Sequence, residues 1–122
     1  MNGVLVDTSV WVAHFRRPSA ELIDLLKRDL VLTHPLILGE LTCGTPPAPR
    51  AQTLKDMSVL QKPRQAALRE VMYFIEREQL YGFGCGIVDM ALLSSTLITP
   101  GVKLWAFDKR LAHLASRFRV QH

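Results

Sequence analysis

The chain has 122 residues, 48% hydrophobic and 21% charged, with 15 lysines and arginines against 11 aspartates and glutamates for a net charge of +4. That length allows one domain with a real core, residues 1–122, and excludes two. No apolar run approaches the ~18 residues of a membrane span, and Asp7 interrupts any signal-like pattern at the N-terminus, so a cytoplasmic location is expected.

Residues 3–6, GVLV, read as a short strand of the buried, parallel type, and the apolar run stops at Asp7-Thr8-Ser9. SVWVAHF then fits a short helix ended before Pro18. SAELIDLLKR has Ser19 as an N-cap candidate, acids early, bases late and apolar residues at 22, 23, 25 and 26, the pattern of an amphipathic helix. LVLTH, 30–34, is a second strand. Pro35 opens PLILGELTCG, a helix with proline in its first turn and Gly44 near its end. TPPAPR, 45–50, is a loop, followed by helical segments at about 50–60 and 64–80. YGFGCG is a glycine-rich connector at 81–86. IVDMALLSSTLI is a largely buried helix stopped by Pro100-Gly101, VKLWAF a strand, DKRLAHLASR a helix and FRVQ a last short strand. Alternation of strands and helices predicts an α/β fold with a parallel sheet between helices. Cys43 and Cys85 are far apart and near no histidine at metal spacing, so both read as buried thiols.

In such a sheet, ligands bind beyond the carboxyl ends of the strands. Asp7 ends the first strand, Asp108 follows VKLWAF, and Asp89 lies in the first turn of its own helix. Each taken singly also fits a helix cap or an acid favoured by the helix dipole. Glu40 fits neither reading, because its helical neighbours are Leu36, Ile37 and Cys43. Buried there alone, it needs a partner: a distant arginine, or a cation shared with the other acids. A divalent cation satisfies all four carboxylates together, since Mg2+ and Mn2+ prefer oxygen ligands. Such a cation makes a water acidic enough to attack a phosphodiester and offsets the charge that develops.

VDTSVW, GEL, IVDMALLSS and LWAFDKRLAHLA resemble, in order, the successive motifs of the PIN-domain ribonucleases, and among them the VapC toxins of toxin–antitoxin pairs. The likeness runs from Asp7 to the final helix. It implies a PIN-like sandwich with a short parallel sheet, and Mg2+- or Mn2+-dependent cleavage of RNA. It also implies a homodimer and a cognate VapB-like antitoxin. By this resemblance Asp7, Glu40, Asp89 and Asp108 form a catalytic and metal-binding quartet, with Asp7 and Asp89 as the firmest ligands, Asp108 completing the site and Glu40 holding a water. Thr8 and Ser9 either orient Asp7 or cap a helix. Ala106 departs from the pattern, which often has a hydroxyl two residues before the last acid.

Arg16, Arg17, Lys109 and Arg110 follow two of the acids and fit either RNA phosphates or solvated helix ends. Trp11 and Trp105 fit core packing better than base stacking, and no histidine takes a role. GFGCG lacks the lysine of a phosphate-binding loop. A haloacid-dehalogenase-like phosphatase needs an aspartate where Ser9 stands. A catalytically degenerate PIN domain that only binds RNA or a partner is the non-enzymatic alternative.

Overall fold

The computed structural model describes residues 2–122. Three parallel strands form its centre: β1 (Gly3–Val6), β2 (Val31–Leu32) and β3 (Val102–Trp105), in the order β2-β1-β3. Leu5 is opposite Leu32 on one side and Leu104 on the other, and Val6 faces Trp105. All four residues of β1 are buried, which is why its sequence is continuously apolar instead of alternating. Gly3 is required by close approach: a Cβ there would stand 2.1 Å from the Leu32 side chain and 3.0 Å from the Leu30 carbonyl oxygen.

The helices are α1 (Thr8–Arg16), α2 (Ala20–Lys27), α3 (Pro35–Cys43), α4 (Arg50–Ser58), α5 (Leu68–Glu78), α6 (Ile87–Leu97) and α7 (Lys109–Arg117). Ser19 caps α2 as expected, its hydroxyl accepting from the Leu22 N–H at 3.2 Å. One apolar cluster runs through the sheet and helices, with Leu5, Leu22, Ile37, Leu92, Leu104, Leu111 and Leu114 among its fully enclosed members. Both tryptophans belong to it. No helix among the described residues is long and apolar enough to cross a membrane.

Four sequence expectations change. The strand expected over 30–34 is only Val31–Leu32, because His34 leaves the sheet to cap α3. The helix expected from residue 64 starts at Leu68, because the Arg64 N–H is taken by the Thr99 hydroxyl at 2.9 Å and Glu70 reaches back to the Ala67 N–H at 2.9 Å. FRVQ contributes one bridge, Leu104 to Gln121, since Arg119 turns into the left-handed region (φ 62°) and breaks an extended run. Neither cysteine is a buried thiol: Cys43 is exposed at the end of α3, and Cys85 is half-buried in the glycine-rich connector.

Candidate active site

β1 and β3 end side by side, β1 followed at once by α1 and β3 followed, after Ala106 and Phe107, by the Asp108 cap of α7. Asp7 and Asp108 are therefore brought to one edge of the sheet as the N-caps of α1 and α7. Asp7 is tied to the neighbouring strand by its own N–H, which donates to the Trp105 carbonyl at 2.9 Å. Its carboxylate accepts from the Ser9 N–H at 3.1 Å and from the Ser9 hydroxyl at 2.5 Å. Asp108 accepts from the Arg110 and Leu111 N–H groups at 3.0 and 3.1 Å, and the Arg110 guanidinium stands 3.7 Å from its other oxygen. Asp89 joins from the first turn of α6. Three of the four acids thus stand at helix N-termini, where the dipole favours negative charge. Asp7 and Asp108 are caps, each by one oxygen, which leaves the second oxygen of each outside the cap.

Glu40 arrives differently. It is exposed on α3, so the expectation of a carboxylate buried among Leu36, Ile37 and Cys43 fails. Leu36 and Cys43 are themselves exposed, and the core face of α3 is Ile37 and Leu41. The Thr8 hydroxyl donates to Glu40 Oε1 at 2.6 Å, drawing the glutamate to the start of α1. Both residues also line a cavity of about 320 Å³ with Val12, Phe15 and Arg16.

The other three acids act on Asp89. The Asp89 carboxyl is raised above the usual carboxylate range, first by burial, then by Asp7 and Asp108, and least by Glu40; the backbone at Gly86 opposes the shift. Burial and the Asp89 and Asp108 charges likewise raise the Cys85 thiol. Among the described residues no lysine or arginine pairs with Asp7, Glu40 or Asp89. Converging carboxylates without a counter-charge, all offering oxygen, suit a hard divalent cation. No three side chains among the described residues are drawn tightly enough to hold one ion between them. A cation such as Mg2+, which takes one or two carboxylates directly and keeps several waters, does not need a tighter cluster.

Sequence reasoning left Ser9 open and gave His34 no role. Ser9 does more than cap: its hydroxyl also accepts from the Phe107 N–H at 3.0 Å, fastening the loop that leads to Asp108. That loop contains Ala106, so a serine on α1 anchors the stretch where the resembled pattern has its own hydroxyl. Arg110 lies across Gly84, where a Cβ would come within 2.7 Å of its guanidinium. Gly84 sits at φ +80°, a conformation that only glycine adopts freely.

No protein-family model matches the chain. Two curated relatives do: Ribonuclease VapC32 from Mycobacterium tuberculosis strain CDC 1551 / Oshkosh and the same-named protein of strain ATCC 25618 / H37Rv. Each is 39% identical over 108 residues, covering 88% of this chain and 86% of the relative. Among solved structures, the crystal structure of PAE2754 from Pyrobaculum aerophilum superposes with a TM-score of 0.58. It covers 98% of this chain and 91% of that one at 18% identity, a likeness of fold alone. An identity of 39% over 88% of the chain is a likeness of family: this chain belongs to the VapC-type PIN-domain ribonucleases.

Proposed function

We propose that this protein is a Mg2+- or Mn2+-dependent endoribonuclease, the toxin of a type II toxin–antitoxin pair, acting in the cytoplasm. Its site is the edge where Asp7, Asp89, Asp108 and Glu40 meet. The observation that carries the reading is that β1 and β3 end side by side and bring Asp7 and Asp108 to one edge, where the Thr8 hydroxyl also draws Glu40 and where Asp7, Glu40 and Asp89 have no lysine or arginine partner among the described residues. The name of the two relatives, Ribonuclease VapC32, supports RNA as the substrate.

Asp7 and Asp89 would hold the cation, with Asp108 completing its surroundings through water. A bound divalent cation supplies positive charge that acidifies a water and offsets the charge growing on the phosphate. The protein does the rest. Ser9 fixes the direction of Asp7, and the N–H groups at the starts of α1 and α7 hold one oxygen each of Asp7 and Asp108. Glu40, exposed and with one oxygen occupied by Thr8, would orient the attacking water and take its proton. In-line attack on phosphorus then breaks the ester bond to the leaving oxygen of the RNA. A homodimer silenced by a VapB-like antitoxin is part of the same proposal.

The test is cleavage of total cellular RNA by antitoxin-free protein with Mg2+ or Mn2+, beside chelator, Asp7→Asn and Asp89→Asn controls. Discrete fragments should form, vanish with chelator, and fall by about a hundredfold or more in either variant. Absence of cleavage by folded wild-type protein in both metals would replace this reading with a PIN domain that binds without cutting.

A further inference from the structure

His34 is buried, 5% exposed, at the N-terminus of the helix that carries Glu40. Its Nδ1 accepts from the Leu36 N–H at 3.0 Å, capping α3. With that nitrogen an acceptor, Nε2 carries the proton and donates to the Ser95 hydroxyl at 3.2 Å, across 61 residues of sequence. Ser95 is fully buried in α6, the helix that carries Asp89. A serine or threonine would cap α3 as well as histidine does, but neither side chain is long enough to reach another helix.

The placement is symmetric. His34 precedes Glu40 by six residues on α3, and Asp89 precedes Ser95 by six on α6. Each acid is therefore ~9 Å of helical rise from the shared hydrogen bond. The two lie toward one edge: the Thr8 hydroxyl, next to Asp7, holds Glu40, and the connector that leads into α6 lies against Arg110, the partner of Asp108 at the start of α7. Two helices joined at equal distances below their carboxylates hold those carboxylates at a fixed spread.

We infer that His34 is a positioning residue for the cation site: through Ser95 it sets the separation of Glu40 from Asp89, and so the geometry in which the cation and its waters are held. This inference rests on the metal-dependent reading above. His34 does not touch the cation or the RNA.

Two variants separate capping from positioning. In His34→Asn the amide oxygen takes the place of Nδ1, keeping an acceptor for Leu36 but not reaching Ser95; Ser95→Ala leaves the cap and removes the link from the other side. Mn2+ binding to RNA-free protein would be followed by electron paramagnetic resonance for wild type, both variants, their double variant and Asp89→Asn. Wild type should bind and Asp89→Asn should not. Each single variant should weaken Mn2+ by about tenfold, the size of effect seen when groups supporting metal ligands are removed. The double variant should be no weaker than either, since both break one interaction. In RNA cleavage kcat should fall with KM unchanged.

Folded variants that bind Mn2+ as tightly as wild type, or losses that add in the double variant, would overturn the inference and leave the metal site intact. Unfolding of both single variants would reduce the pair to a stability role and overturn it too. Failure of wild type to bind Mn2+ is a separate outcome, and it would remove the metal reading together with this one.

Discussion

Ser9 uses one hydroxyl twice, giving its proton to Asp7 and accepting the Phe107 N–H. Removing it should do two things at once. Ser9→Ala should cost about 0.5–1.5 kcal/mol in denaturant melts, from the hydrogen bonds its hydroxyl makes to Asp7 and Phe107, and should lower RNA cleavage because Asp7 loses its direction. Asp89→Asn should act in the opposite sense on stability: it removes a charge that three neighbours repel, so its melting temperature should equal or exceed that of wild type while cleavage is lost. A lower melting temperature for Asp89→Asn would contradict the picture of an acidic edge under mutual repulsion. At this scale the sequence was legible wherever an acid followed a strand, because strand ends and helix starts coincide there. It was not legible for Glu40. Helical spacing identifies which residues share a face, but not whether that face meets the core, and Leu36 and Cys43 proved to be exposed.

The third helix depends on an imidazole for its cap, which ties its stability to pH. Burial lowers the His34 pKa below the ordinary value of 6.5, so the neutral ring is favoured in the folded state. The unfolded chain therefore binds this proton more readily. The contribution is complete above about 6.5 and is lost as pH falls from there toward the folded value. Protonation of Nδ1 would also leave the Leu36 N–H facing another donor. Melts between pH 7.5 and 5 should show wild type losing stability over this window and His34→Asn losing less; parallel curves would rule the imidazole out as the cause. Whether elements were predictable followed the range of their determinants. Ser19 announces α2 from three residues away. The start of α5 depends on an Arg64–Thr99 hydrogen bond across 35 residues, and no local pattern encodes that.

Charge is segregated across the whole molecule. Four of 11 acids gather at one edge, where Arg16 and Arg110 also stand, which leaves 13 of the 15 basic groups against 7 acidic ones elsewhere. Such a surface attracts polyanions, while the edge itself repels them until a cation is present. RNA binding by Asp89→Asn, measured against salt, should weaken steeply. Arg110→Ala should reduce the log–log slope by roughly 0.7, the value for one phosphate contact on a single strand. An unchanged slope would assign Arg110 to Asp108 and Gly84 alone. The parallel sheet itself was readable from alternation, whereas its extent was not, since β2 is only two residues long. The pairing of β1 with β3 also has a meaning in time. The Ser9–Phe107 bond joins residues 98 apart in the chain, and Asp7 and Asp108 are neighbours only once β3 has docked. At synthesis rates of about 5–20 residues per second, that takes roughly 5–20 s after Ser9 is made. A chain still growing on the ribosome therefore carries Asp7 without an assembled edge until β3 and Asp108 have been made.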